Sequence, residues 1–390
     1  TTSEVSVSVT VDDRRRLLAR MGDALRGIIP RYRALAERGQ VELSTTPDTH
    51  PLAPLLLDFA SAHEAQPDLP LPQSHFYPGG RSRIDRHIAL ARDSHARRFG
   101  QAPAGMWPAE GAVSSAFLQQ LATQGCRWAA SSQGVLANSL RRKHADSPKS
   151  PVYRPWRIEA APGLAVFFRD EKLSDLIGFE YARWHGRDAA QHFVDQLARI
   201  RDEAPAGETP LVCVILDGEN AWEHYPYNAF FFFEDLYGLI AEQTWLTTTT
   251  CSDWLARHPE RTTTLPDLVA GSWVYGTFST WIGDADKNRA WDLLCAAKQA
   301  YDLVMDSGRL DDAAQRAAEA QLAVCEGSDW FWWFGDYNPR EAVESFDALF
   351  RANLAHLYRL LRLPEPPQLA VPLSSGGGSP EGGGAMRRAS

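Results

Sequence analysis

The chain has 390 residues, of which 44% are hydrophobic and 23% charged, with 40 Lys plus Arg against 49 Asp plus Glu. This composition is typical of a folded protein, and it excludes disorder for most of the chain. A formal charge of −9 without a basic stripe argues against a nucleic-acid partner, and the absence of 18 consecutive apolar residues argues against a membrane span. All 13 Trp lie between Trp107 and Trp333, which indicates an aromatic interior in that region.

Helical and strand-like patterns alternate from about residue 11 to residue 270. Helices are predicted by apolar spacing and Gly stops at 12–38 (one helix, or two broken at Pro30), 81–99, 111–124 and 188–203. Strands are predicted at 41–45, 104–109, 127–132, 164–169 and 211–216, with a weaker one near 245–250. The unbroken apolar run at 211–216 is typical of a strand buried on both faces of a parallel sheet. The pattern therefore predicts an α/β domain over residues 1–284, either a barrel or a doubly wound sheet.

The pattern becomes purely helical after residue 285. Apolar residues keep helical spacing through two long segments, and an Ala-rich segment lies between them, so residues 285–365 are predicted to form a three-helix bundle. Residues 366–390 are rich in Gly, Ser and Pro and are predicted to form a flexible tail.

Acidic residues follow three of the predicted strands. They are Glu110, Asp170 and Asp217, and Trp107 and Trp222 lie beside two of them. In parallel α/β folds the functional side chains gather at the carboxyl ends of the strands. A cleft with carboxylates and aromatic walls suits a sugar, and cleavage of a glycosidic bond needs two carboxyl groups. The sequence therefore predicts a carbohydrate site at this edge of the sheet.

Five stretches resemble, in order, signature regions of glycoside hydrolase family 57. They are residues 39–51 (GQVELSTTPDTHP), 105–110 (GMWPAE), 216–226 (LDGENAWEHYP), 271–276 (GSWVYG) with 281–283 (WIG), and 326–333 (EGSDWFWW). The resemblance extends over residues 12–365. It implies an incomplete (β/α)7 barrel followed by a helical bundle, and a retaining enzyme of the α-amylase, amylopullulanase or 4-α-glucanotransferase type.

The matching positions assign roles to individual residues. Glu110 falls on the family's nucleophile and Asp217 on its general acid/base, so that their carboxyl groups should lie about 5–5.5 Å apart. Asp217 is expected to have the higher pKa, held protonated by the charge of Glu110. Glu219 and Glu223 are the alternatives for the principal acid. The substrate, an α-glucan or maltooligosaccharide, is expected to contact His50, Trp107, Asp170, Trp222, His224, Trp273, Tyr275, Trp281 and Asp329. The aromatic members of this set fit a place in the core equally well.

The family's opening His-Gln-Pro strand has no counterpart in this sequence. The chain is therefore expected to be truncated at its N-terminal side relative to the family and to lack the first barrel strand or strands. One alternative is a non-catalytic glycan-binding relic. Another is a metal-dependent carbohydrate-active enzyme, with His50, Asp170, Asp217 and His224 as the ligand set. The preferred hypothesis needs no cofactor and no metal. A cytoplasmic location is expected because no secretion signal precedes the first helix, and the oligomeric state is open.

Overall fold

The computed structural model describes residues 9–143, 150–218 and 221–378 of the chain. The α-helices are α1 (Val11–Glu37), α2 (Ala53–Leu57), α3 (Gly80–Phe99), α4 (Ser115–Thr123), α5 (Gln133–Lys143), α6 (Glu171–Asp175), α7 (Gly186–Glu203), α8 (Phe230–Glu242), α9 (Cys251–Arg257), α10 (Ala285–Asp306), α11 (Asp312–Cys325), α12 (Asp329–Trp333) and α13 (Arg340–Leu360). The strands are β1 (Gly105–Met106), β2 (Trp128–Ser132), β3 (Trp156–Ile158), β4 (Ala161–Arg169) and β5 (Thr263–Leu265). Among these residues no helix is both long and apolar enough to cross a lipid bilayer.

The sheet is mixed, with mainly parallel pairs. Its strand order is β1-β2-β4-β3-β5, and β1, β2 and β4 run parallel to one another. The β3 strand runs antiparallel to β4 and parallel to β5. The β4 strand is the central strand in this order, and its residues 164–169 are all buried, as its apolar run predicts. The predicted α/β class is therefore confirmed.

Three of the predicted strands lack the expected pairing. Residues 41–45 contribute a single bridge, between Thr45 and Met106. Residues 211–216 and 245–250 are extended but lie outside the strands of the sheet. At 211–216 the backbone is bound instead by groups around the end of β4, including a hydrogen bond of 2.8 Å from Asp170 N to Cys213 O. This segment is half-buried and does not show the complete burial that its apolar run predicts.

A cavity of about 910 Å³ lies between the sheet and these extended segments. Its walls include Trp128 and Phe167 from β2 and β4, residues 211–217, and residues 245–251. The Glu42 carboxylate accepts hydrogen bonds from Trp128 Nε1 (2.8 Å) and from Ser252 N (2.9 Å). Glu42 thus ties the first extended segment both to the sheet and to the start of α9.

Most predicted helices are confirmed close to their predicted ends. Gly100, with φ of 84°, ends α3 in the left-handed conformation that favours glycine. The α1 helix continues through Pro30 as one helix. Its apolar face is exposed to solvent, since Leu17, Leu25 and Met21 are all more than half exposed. Helical periodicity therefore predicted the secondary structure of α1 but not the burial of its apolar face.

The C-terminal region contains the three predicted long helices, α10, α11 and α13, with the short α12 inserted between the last two. Residues 366–378, assigned from composition to a flexible tail, are docked on this bundle. Leu373 and Ser374 are buried, Leu373 N donates to Asp347 Oδ1 (2.8 Å), and Ser374 Oγ accepts from Gly335 N (3.1 Å). Amino-acid composition could not predict these hydrogen bonds, because they join residues that are far apart in the chain. Residues 379–390 of the predicted tail lie outside the described residues.

Candidate active site

Glu110 stands in a strained turn just after β1. The chain leaves β1 at Met106 and enters a 3₁₀ turn, Ala109–Gly111, in which Glu110 has φ of 57° and ψ of 26°. This left-handed conformation is uncommon for a residue with a side chain and tends to occur at functional sites. It is held by pairing with a neighbouring segment: Trp273 N donates to Glu110 O (3.0 Å), and Val113 bridges to Gly271. The Glu110 side chain is 13% exposed, so it is partly open to a ligand.

The Glu110 carboxylate is oriented by a tryptophan. Trp273 Nε1 donates a hydrogen bond of 3.0 Å to Oε2, and the Trp273 ring meets the Trp107 ring edge-on at 5.2 Å between centroids. Both tryptophans are half-buried. An N–H donor to one carboxylate oxygen stabilises the ionised form and fixes its direction. Trp107 and Trp273 therefore form an aromatic wall beside the carboxylate.

The helical bundle also contributes to this site. Pro51 bridges to Gly327, and Ser328 N donates to His50 O at 2.9 Å. Ser328 Oγ lies 2.8 Å from His50 Nδ1, whose distance to Glu110 Oε1 is 3.9 Å. His50 has a left-handed backbone, with φ of 59°. The imidazole is thus fixed between the bundle and Glu110.

Asp329, the first residue of α12, completes a three-residue group with His50 and Glu110. One candidate ligand atom from each lies within 4.8 Å of the other two, and this is the group of described residues that could hold a metal ion. It shares only His50 with the ligand set of the metal-dependent alternative. Asp170, Asp217 and His224 do not converge with His50 into such a group among the described residues.

Asp217 ends the extended segment 211–216 and lines the cavity described above. Trp107 and Trp273 line the same cavity. The aromatic residues that adjoin Glu110 therefore also face the space that Asp217 borders. Asp217 is half-buried in a wall that is otherwise largely apolar.

Two predicted substrate residues are buried elsewhere. Trp281 is completely buried against Trp332, at 5.7 Å between ring centroids, so it belongs to the core and offers no face to a sugar. Asp170 is 4% exposed, and its two oxygens accept from Leu173 N (2.8 Å) and the Tyr153 hydroxyl (2.9 Å). Asp170 is therefore the N-cap of α6.

The remaining predicted residues lie in less enclosed positions. Tyr275 is 43% exposed and has a left-handed backbone, with φ of 58°. The Trp222 ring packs on Phe233 at 4.6 Å between centroids. His224 is exposed, and its Nε2 lies 3.7 Å from Oε1 of the exposed Glu223. Glu219, considered as an alternative acid, lies outside the described residues.

A buried ionic network that sequence reasoning missed anchors the segment carrying Ser328 and Asp329. Glu326 is completely buried and accepts hydrogen bonds from the Tyr77 hydroxyl (2.6 Å), Arg83 Nη2 (2.8 Å) and His87 Nε2 (2.7 Å). Burial alone would raise the pKa of Glu326, but the hydrogen bonds from His87 and Arg83 outweigh it and lower the pKa to about 2. The sequence signal was present, since an acid in an otherwise small and apolar stretch needs a partner when buried.

Glu326→Gln is expected to destabilise the protein by roughly 3–5 kcal/mol at pH 7, because it removes the nearest counter-charge of buried Arg83 and leaves it only the longer contact of 3.7 Å from Nη1 to Glu319 Oε1. The lowered pKa of Glu326 means that its contribution is fully present above the ordinary value of 4.5 and is lost as the pH falls toward about 2. Denaturant unfolding at pH 7 and pH 3 should therefore show that the free energies of unfolding of variant and parent differ less at pH 3. The matched control is Glu365→Gln, which removes an exposed pair with Arg359 and should cost less than about 1 kcal/mol. Equal stability of the two variants at pH 7 would contradict this role for Glu326.

Comparison with known proteins gives one family and a set of similar folds. The sequence model of Glycosyl hydrolase family 57 matches residues 9–266, which is well over half of the chain. No curated protein sequence matches. A branching enzyme from Thermococcus kodakaraensis superposes with a TM-score of 0.69 at 17% identity, over 88% of this chain and 70% of that one. The α-amylase AmyC from Thermotoga maritima superposes with a TM-score of 0.64 at 16% identity, over 90% of this chain and 73% of that one. A 4-α-glucanotransferase from Thermococcus litoralis superposes with a TM-score of 0.57 at 14% identity, over 88% of this chain and 52% of that one. At these identities the similarity is one of fold.

Proposed function

The chain belongs to glycosyl hydrolase family 57, and from that membership we propose that it is a retaining α-glucan hydrolase or glucanotransferase, with Glu110 as nucleophile and Asp217 as general acid/base. The observation that carries the proposal is the shared wall of Trp107 and Trp273. Trp273 holds the Glu110 carboxylate and also lines the cavity that Asp217 borders. The similar solved structures include a branching enzyme, an α-amylase and a 4-α-glucanotransferase, which agrees with an α-glucan substrate.

The proposed reaction has two displacements. In the first, a Glu110 oxygen attacks the anomeric carbon, the glycosidic bond breaks, and Asp217 gives its proton to the leaving oxygen. In the second, Asp217 takes a proton from water or from a sugar hydroxyl. That oxygen attacks the anomeric carbon and releases the Glu110 carboxylate. The indole N–H of Trp273 keeps the carboxylate in a fixed direction, which limits the entropy lost on reaching the transition state.

We propose that the substrate binds along the aromatic wall. Trp107, Trp273 and Tyr275 would stack on the apolar faces of the sugar rings, and His50 and Asp329 would hydrogen-bond to hydroxyl groups near the scissile bond. Trp222 and His224 follow Asp217 in the chain and remain predicted contacts for the leaving-group side. Trp281 and Asp170 are left out because both are buried in other roles.

We also infer that the extended segments and the sheet together form an incomplete (β/α)7 barrel within residues 1–284. Three sets of contacts support a closed arrangement of these segments around the cavity. They are the bridge between Thr45 and Met106, the hydrogen bond from Asp170 N to Cys213 O, and the hydrogen bonds that Glu42 accepts from Trp128 and Ser252. In this interpretation the bundle over 285–365 is part of the enzyme because it supplies Ser328 and Asp329.

The test is to incubate the chain with maltooligosaccharides and with amylose, with and without EDTA, and to follow the anomeric protons by NMR. The proposal expects products whose first-formed anomer is α and whose yield is the same with EDTA. Dependence on a metal would support the metal-dependent alternative. A lack of products from either substrate would support the non-catalytic relic.

A further inference from the structure

Arg169 is a buried cation at the end of β4. It is 6% exposed, although it ends a strand that is otherwise apolar over its last residues. Its Nη2 donates to Asp175 Oδ1 at 2.6 Å, and this ion pair partly offsets the cost of burying the charge. Sequence reasoning noticed only the acids that follow it, and none of the proposed chemical steps uses the guanidinium.

The guanidinium of Arg169 also lies close to Trp273, the residue that orients the Glu110 carboxylate. Arg169 Cζ lies 5.7 Å from the centre of the Trp273 ring, within the range of a cation–π contact. Trp273 in turn donates through Nε1 to Glu110 Oε2 and through its backbone N to Glu110 O. A change in the position of Arg169 would therefore move the indole that orients Glu110.

The edge of the same guanidinium holds the segment that carries the second acid. Arg169 Nε donates to Ile215 O at 2.8 Å, two residues before Asp217. Because residues 211–216 are not paired as a strand of the sheet, side-chain hydrogen bonds of this kind hold the segment in place. A second one lies beside it, in which Ser174 Oγ accepts from Ile215 N at 3.2 Å. The position of Asp217 thus depends on side chains at the end of β4 in addition to the hydrogen bond that Cys213 O accepts from Asp170 N.

We propose that Arg169 is a positioning residue that sets the separation of Glu110 and Asp217. This inference rests on the proposed function for its catalytic consequence, although the contacts themselves do not depend on it. Retaining chemistry needs the two carboxyl groups about 5–5.5 Å apart, and a misplacement of about 1 Å can cost roughly 100-fold in rate. The guanidinium donates to the Ile215 carbonyl and to the Asp175 carboxylate from two separate nitrogens, which a single ammonium group cannot reproduce, so lysine is not an equivalent replacement.

The test compares Arg169→Met and Arg169→Lys with Arg351→Met. Arg351 is a matched control because it too pairs with a carboxylate, that of Asp347 (2.7 Å), and donates to a backbone carbonyl, that of Leu369 (3.0 Å), but it lies in the bundle. Both Arg169 variants should lower kcat, by about 100-fold for Met and at least about 10-fold for Lys, with KM changed less than about threefold. Arg351→Met should lower the melting temperature with kcat unchanged.

A second readout does not require activity. The ¹⁵N-indole resonance of Trp273, assigned with Trp273→Phe, should move in both Arg169 variants and stay in place in Arg351→Met. An unmoved resonance, or a kcat loss no greater than that of Arg351→Met, would overturn the inference. If the parent chain cleaves no glucan but the resonance moves, the proposed function fails while the link from Arg169 to the Glu110 site stands.

Discussion

Glu110→Gln is expected to lower kcat on maltooligosaccharides by at least about 10⁴-fold, because it removes the atom that attacks the anomeric carbon in the proposed mechanism. The amide has nearly the same shape as the carboxylate, and its oxygen can still accept from Trp273 Nε1. The fold and the affinity for substrate should therefore change little. The measurement is kcat and KM for parent and variant, with thermal unfolding to establish that both are folded.

The control for this substitution is Glu159→Gln, which makes the same change at an exposed position between β3 and β4. It should leave kcat unaltered. Glu223→Gln adds a second comparison, because Glu223 was an alternative acid and is exposed beside His224. If Glu110→Gln kept more than about 1% of the parent rate, the assignment of the nucleophile would be wrong, and a loss of rate in Glu223→Gln would favour Glu223 as the acid.

Asp217→Asn is expected to reduce kcat by about 10²–10⁴-fold on unactivated glucans, since it removes the proposed proton donor for the leaving sugar. The loss should be much smaller in the first displacement of a substrate such as α-glucosyl fluoride, whose leaving group needs no proton. The second displacement should still be slow because no base activates water. Added azide, which needs no base, should therefore restore turnover and give a glucosyl azide of retained configuration.

The dependence on the leaving group is what separates a general acid from a structural carboxylate. An equal loss of rate for glucans and for glucosyl fluoride, together with no effect of azide, would contradict the role of Asp217. The parent treated with azide is the control and should form little azide product.

Local patterns predicted the helices of this protein well. The α3 and α7 helices and the three long helices of the bundle have apolar periodicity within one segment, which depends little on what packs against it. Burial was less predictable. The exposed apolar face of α1 and the half-buried run at 211–216 depend on which neighbours are present, and a single segment does not encode that.

The structure brings together four residues that the motifs marked. Glu110, His50, Trp273 and Asp329 lie close to one another, and their roles stay predictions. The sequence could not distinguish Trp273 at the site from Trp281 in the core, because both lie in stretches that match the same signature region. Asp170 was predicted from its position at a strand end, but it accepts hydrogen bonds from Leu173 N and from the Tyr153 hydroxyl and caps α6.

Positioning by Arg169 and Glu326 was not predictable in this way. Both act through contacts between residues far apart in the chain, as in the hydrogen bonds from Arg169 to Ile215 and from Arg83 to Glu326. A buried charge in an apolar stretch indicates that a partner exists, but it does not identify the partner.

Trapping a covalent glycosyl-enzyme intermediate tests the role of Glu110 as nucleophile. The chain is incubated with a 5-fluoro-α-glucosyl fluoride, which slows the second displacement more than the first, and the intact mass and proteolytic peptides are then measured by mass spectrometry. The account predicts one added glycosyl group, carried by the peptide that contains Glu110 and absent in Glu110→Gln. A label on another carboxylate such as Glu223 or Asp329, or turnover of glucans without any covalent adduct, would contradict it.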